Sequence, residues 1–143
     1  MRNRSRVLSI DYGTKRVGLA ISDELRMLAR PFTTLSQSPA LLNDILSLVE
    51  KEAVGFVLLG LPRSLMGGDS EMTTEVRTFG ERLFERLDAV GVGHAFHDER
   101  LTSIMAANNL RSSGLSKSKR QEKHRHDEEA ARIILQEYLD SQG

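Results

Sequence analysis

The sequence contains no cysteine. This excludes disulfides, thiol catalysis and cysteine-ligated zinc or iron–sulfur centres, and it fits a reducing cytoplasm, where the protein is expected to act. No apolar run approaches the ~20 residues that a membrane span needs. The basic start, MRNRSRVLSID, has no long apolar stretch behind it, so it reads as a short tail entering a strand rather than as a signal peptide. Aromatic residues make up only 5% of the chain, which argues against the extended stacking platforms of single-strand binders. There is no net charge at pH 7, so whole-molecule charge points to no partner.

What is present is enough for one core. The 143 residues are 39% hydrophobic and 28% charged, the profile of a single globular domain spanning residues 1–143. Neither an internal repeat nor a linker interrupts it. The charge is unevenly placed. Between Arg111 and His126 lie six basic residues (Arg111, Lys117, Lys119, Arg120, Lys123 and Arg125) and one acid, Glu122. Such asymmetry fits either a grip on a polyanion or a solvated loop.

Short apolar runs at Arg6–Ile10 and Val17–Ile21, joined by a glycine-containing turn, read as a hairpin. Met27–Phe32 reads as a third strand. Ser38 and Pro39 form a helix start, followed by Leu41, Leu42, Ile45, Leu48 and Val49 at helical spacing, with Gly55 as the stop. Phe56–Leu59 suits a buried strand, and the loop GLPRSLMGGDS follows it. Met72, Val76, Phe79, Leu83, Leu87 and Val90 mark a second helix, and Val92–His97 a last strand. A short helix is expected from Thr102 to Leu110, then the basic loop, then a final helix from Asp127 to Leu139. The order predicts an α/β fold with a five-stranded mixed sheet, an antiparallel meander followed by parallel strands, flanked by helices.

Three places carry carboxylates of interest. Asp11 follows the first strand, where it could hold a cation or merely close a turn on backbone amides. Asp98 and Glu99 end the last strand and point to opposite faces, so only one of them is expected to face the way Asp11 does. Either could simply cap the next helix. Asp127 has Ala130, Ala131, Ile134 and Tyr138 on its own helical face, which aligns it with the core stripe. As a first-turn acid it would also suit the helix dipole. Gathered at one sheet edge, the three acids could hold two divalent cations ~3.5–4 Å apart for in-line phosphoryl displacement. Histidine offers no rival site. His94 and His97 fall on opposite strand faces, and His124 and His126 sit two apart in the basic segment.

These motifs resemble the YqgF/RuvX family, described as Holliday-junction resolvases and as nucleases that process pre-16S ribosomal RNA. The resemblance begins with IDYGTKRVGLA at Ile10–Ala20 and continues through Ser22-Asp23 and Arg30-Pro31. Gly60-Leu61-Pro62 with Gly67, and then Phe79, match the family's glycine–proline loop and the helix after it. Asp98–Ser103 (DERLTS) and Asp127 with Ala130-Ala131 and IILQEYL complete it. Two departures stand out: RSLMGG after Pro62, where the family often has a polar stretch, and His126 before Asp127. The resemblance implies an RNase H-like fold and catalytic, metal-holding acids Asp11, Glu99 and Asp127, with Asp98 as second choice for a ligand. It further implies Mg²⁺ or Mn²⁺ dependence and products with 5′-phosphate and 3′-hydroxyl ends. Lys15, Arg16 and Arg100 would then bind phosphate near the scissile bond, while Lys117, Lys119, Arg120, Lys123 and Arg125 grip the backbone in a salt-sensitive way.

The expected substrate is precursor 16S rRNA, cut at its 5′ end, with a branched DNA junction second. A junction resolvase would need a symmetric dimer, and no dimer surface is legible. An actin-like ATPase or sugar kinase also uses a DYGT-type turn, but its nucleotide cleft needs two such domains, so no nucleotide cofactor is expected. A non-catalytic RNA-binding ribosome-assembly module on the same fold is the reading from another functional class.

Overall fold

The computed structural model describes residues 4–62, 70–99 and 120–142, with backbone alone for 120–126. Five strands form one sheet: β1 (Arg6–Tyr12), β2 (Arg16–Ser22), β3 (Ala29–Ser36), β4 (Val54–Leu61) and β5 (Gly93–Asp98). Their order is β3-β2-β1-β4-β5. β1 pairs antiparallel with β2, and β2 with β3, while β4 lies parallel to β1 and β5 parallel to β4. The central strands β1, β2 and β4 carry continuous buried runs because both faces are covered.

Strand alternation divides the side chains between two layers. Leu8, Ile10, Val17, Leu19, Ile21, Val57 and Leu59 meet α1 (Leu41–Lys51) and α2 (Glu71–Ala89) in the larger core. Val7, Ala20 and Leu58 meet the other layer, α3 (Arg120–Gln142), through Ala130, Ala131, Ile134, Leu135 and Leu139.

Several boundaries differ from the sequence expectation, each for a local reason. The third strand begins at Ala29 rather than Met27. The Asp23 carboxylate accepts from the amides of Leu25, Met27 and Leu28 at 3.1, 2.9 and 2.8 Å. Leu25, Met27 and Leu28 therefore stay in water, 78%, 65% and 70% exposed. Those same amide bonds, Leu28's foremost, hold the Asp23 carboxyl below its ordinary range. Helix α1 starts two residues after the expected point: Ser38 Oγ accepts from the Ala40 amide at 3.1 Å in a turn before the helix. It ends at Lys51, where Ala53 takes a left-handed φ of 54°, so Gly55 already belongs to β4. β4 also runs on through Gly60 and Leu61, which were expected in a loop. The expected helix at 102–110 lies outside the described residues.

Helix α2 opens with a capping box. The Thr73 amide donates to Ser70 Oγ at 3.1 Å, and the Ser70 amide donates back to Thr73 Oγ1 at 3.1 Å. Thr73 Oγ1 also donates to the Pro62 carbonyl, tying the helix start to the end of β4. Ser70→Ala is expected to cost about 1 kcal/mol, lowering the thermal midpoint by about 3 °C in a scan without altering the site below.

Candidate catalytic carboxylates

Asp11 is the penultimate residue of β1 and pairs with Gly18 of β2. It shares its face with Val7, which packs against α3, and with Ser9, whose Oγ donates to the Ala131 carbonyl at 2.6 Å. Alternation therefore turns Asp11 toward α3, the helix that bears Asp127. The approach is close because the facing residues are small. A Cβ added to Gly18 would overlap the Asp127 carbonyl and stand 2.9 Å from the Asp127 Cβ. Ala20, Ala130 and Ala131 are fully or almost fully buried in the same layer.

Glu99 directly follows β5 and is 6% exposed. Like Ala95 and His97 it falls on the α3 side, above β4, where a Cβ on Gly60 would stand 3.0 Å from Glu99 Oε1 and 2.9 Å from Ile134 Cδ1. Its carboxyl meets the Asp11 carboxyl through a side-chain hydrogen bond. Burial, then the Glu99 charge and this hydrogen bond, then the Asp127 charge push the Asp11 carboxyl well above its ordinary range. Glu99 is raised by burial, partly offset by the bond with Asp11, with the Asp98 charge adding to the rise. Asp98, the second-choice ligand, pairs in register with Leu61 of the opposite core. Of the two adjacent acids, Glu99 is the one that reaches Asp11.

Asp127 is not a first-turn acid. Helix α3 begins at Arg120, about two turns earlier, so neither the capping nor the dipole reading applies. Its carboxylate instead accepts from Arg16 Nε at 2.7 Å, in a pair whose side chains are 25% and 26% exposed. Arg16, expected at a substrate phosphate, thus stands on a candidate ligand. Lys15 is exposed in the β1–β2 turn. Arg100, Lys117 and Lys119 lie outside the described residues. Arg120, Lys123 and Arg125 fall in the first turns of α3, so the expected basic loop is helical from Arg120 onward.

The arrangement is thus a pair plus one. Asp11 and Glu99 form a hydrogen-bonded carboxyl pair, and Asp127, whose charge reaches Asp11, is balanced by Arg16. As they stand, no three His, Asp or Glu side chains among the described residues are close enough to hold one metal ion. The donor chemistry still fits a hard divalent cation. Two crowded carboxyls, one of them raised well above its ordinary range, can both ionise by releasing protons to water once a cation offsets their charges. The histidines do sit on opposite faces. His94 stacks on Phe84 of α2 at 4.1 Å and meets Asp88 at 2.8 Å. His97 is lowered by burial against the opposing charges of Glu137 and Asp98. Sequence reasoning missed the Arg16–Asp127 pair and the packing roles of Gly18 and Gly60. A usable signal was the small-large-small alternation Gly18-Leu19-Ala20 facing Ala130-Ala131.

Comparison with known proteins fits this geometry. A family model described as RuvX, Holliday junction resolvase, matches residues 5–141. A protein of Maridesulfovibrio salexigens named "Putative pre-16S rRNA nuclease" is 43% identical, covering 94% of this chain and 97% of its own. Proteins of the same name from Phocaeicola vulgatus and Salinibacter ruber are 40% and 39% identical, covering 96% and 100% of this chain and 96% and 98% of their own. In structure, the chain is similar to Thermus thermophilus RuvC in complex with a Holliday junction substrate. That likeness has a TM-score of 0.57 at 14% identity, covering 96% of this chain and 94% of the other. It establishes an RNase H-like fold.

Proposed function

The chain belongs to the RuvX family, and we propose that it is a divalent-metal-dependent nuclease whose catalytic residues are Asp11, Glu99 and Asp127. In this reading residues 1–143 form one RNase H-like nuclease domain that cuts structured nucleic acid, with the 5′ end of precursor 16S rRNA as substrate. Such a substrate implies a cytoplasmic site of action. The observation that carries the reading is the hydrogen bond between Asp11 and Glu99, beneath the charge of Asp127, at the C-terminal edge of parallel strands.

Asp11, Glu99 and Asp127 would hold Mg²⁺ or Mn²⁺. Bound there as a pair of ions, the metal would lower the pKa of the attacking water and offset charge on the leaving oxygen. The protein's own groups do the rest. Asp11, raised by its acidic neighbours, would release its proton to water when the cation is held. Gly60 keeps the space into which the Glu99 carboxylate fits, and Gly18 keeps α3 near enough for Asp127 to contribute. Arg16, once exchanged from Asp127, can meet a phosphate oxygen. Lys15, Arg100 and the basic side chains at 117, 119, 120, 123 and 125 supply a sequence-independent grip on the backbone.

The test is cleavage of a labelled precursor 16S rRNA fragment and a synthetic four-way DNA junction, each with Mg²⁺, Mn²⁺ or EDTA. Metal-dependent cutting of the RNA is expected. Paired symmetric cuts in the junction alone would move the substrate to branched DNA and keep the chemistry. Cutting that survives EDTA would overturn the metal assignment, and binding without any cutting would leave a non-catalytic RNA-binding module.

A further inference from the structure

Next to Asp11 in β1 stands Tyr12, and alternation sends its side chain to the other face of the sheet, toward α1 and α2. There it borders a cavity of about 350 Å³ lined with Gln37, Pro39, Leu42, Phe79 and Arg82. The Tyr12 and Phe79 rings lie 4.9 Å apart, tilted by 42°. Phe79 is 6% exposed and forms the floor. Tyr12 is half-buried, and Arg82 stands exposed at the rim. Gln37 is fixed in place, since its amide Nε2 donates to the Gly13 carbonyl at 2.7 Å and its backbone amide donates to the Lys15 carbonyl at 3.0 Å. Its side-chain oxygen remains as an acceptor, and among the described residues no donor reaches it.

We propose that this cavity is a nucleobase subsite, taking one unstacked base of the substrate strand next to the scissile phosphate. The inference rests on the nuclease reading above. The chemistry matches a base closely: an aromatic ring for its π-face, an amide oxygen for an exocyclic amino or ring N–H group, and a guanidinium at the rim for the neighbouring phosphate. Position decides in favour of a base over a free small molecule. The cavity is lined by Tyr12, one residue from the candidate catalytic acid, so a strand crossing the end of the sheet meets the carboxylates on one face and the cavity on the other. A low aromatic content rules out a long stacking platform, but a single site needs one ring. The subsite favours substrates with an unpaired nucleotide at the cut over continuous duplex.

The experiment uses the full chain in EDTA, so that binding is read without cleavage. The probes are single-stranded and bulged RNA oligonucleotides carrying a fluorescent 2-aminopurine at successive positions. Quenching is expected at one position only, and an abasic residue there should weaken binding about tenfold. Tyr12→Leu should lose both effects, Tyr12→Phe should keep them, and Arg82→Ala should weaken binding to all the probes alike. No position-specific quenching with wild type, or the same quenching with a folded Tyr12→Leu, would overturn the subsite. Because EDTA removes catalysis from the readout, position-specific quenching by a protein that never cuts would count against the nuclease reading and leave the subsite standing.

Discussion

Replacing Asp11 by asparagine is expected to abolish cleavage, by about a thousandfold or more, while making the fold more stable. The loss in rate should exceed the 10–100-fold typical of residues that merely support a metal ligand, because Asp11 is the acid that both Glu99 and Asp127 face. The gain in stability follows from the same crowding. Burial and its acidic neighbours hold the Asp11 carboxyl well above its ordinary range, so ionising it in the folded chain is unfavourable. Asparagine keeps a donor for Glu99 and carries no charge. A rise of about 1 kcal/mol, or about 3 °C in thermal midpoint, is expected near neutral pH in EDTA.

The pH dependence has a defined sign. The folded-state pKa of Asp11 lies above its unfolded value of about 3.9, so the native chain binds the extra proton. Its contribution to stability is complete below about pH 4 and is lost as pH rises through the folded value. Glu99 adds a loss of the same sign. The wild type minus Asp11→Asn difference in thermal midpoint should therefore grow more negative from pH 4 upward, and Mg²⁺ or Mn²⁺ should restore the wild type. At a concentration a hundred times its dissociation constant, an ion adds about 2.7 kcal/mol. A midpoint difference that stays flat with pH, or a wild type indifferent to either ion, would count against the raised Asp11 carboxyl and the metal site respectively.

The second large effect lies in the two glycines beneath the site, which are expected to behave differently. In Gly18→Ala the new Cβ meets the backbone carbonyl of Asp127. Backbone cannot rotate aside, so α3 must shift as a body. A cost of about 3 kcal/mol or more is expected, some 10 °C in thermal midpoint, with about a hundredfold loss of cleavage as Asp127 moves. In Gly60→Ala the Cβ meets only the ends of Ile134 and Glu99, which can turn. Stability should fall by about 1 kcal/mol or less, while cleavage falls about as far as in the first variant because Glu99 is displaced. Denaturant titration and cleavage assays on the same two proteins separate the cases. A Gly18→Ala protein as stable as wild type would mean that α3 does not lie against β2.

The sheet was legible because its strands are short apolar runs and its helices, where they cover the core, repeat at threes and fours. Boundaries failed where no apolar pattern marks them. Helix α3 begins seven residues before Asp127, through a polar stretch that reads equally well as helix or loop. Met27 and Leu28 read as strand, yet the amide bonds to Asp23 keep them in the turn. The acids could be named from spacing and resemblance; alternation said only that one of Asp98 and Glu99 faces Asp11, and the resemblance singled out Glu99. That Arg16 stands on Asp127 could not be read, since 111 positions separate them and nothing local links a turn arginine to a distant helix. Gly18 and Gly60 were visible as glycines, but only the packed structure shows that their missing side chains are the room in which two carboxylates sit.

The contact between Arg16 and Asp127 also bears on how the chain assembles. Acids collected at one end of a sheet repel one another during the step that docks the last helix, when nothing outside the polypeptide has yet bound. Arg16 stands on β2, at the place where α3 packs. The polypeptide therefore brings its own counter-charge to that docking step, and its closing helix can come home in water that holds no divalent ion at all.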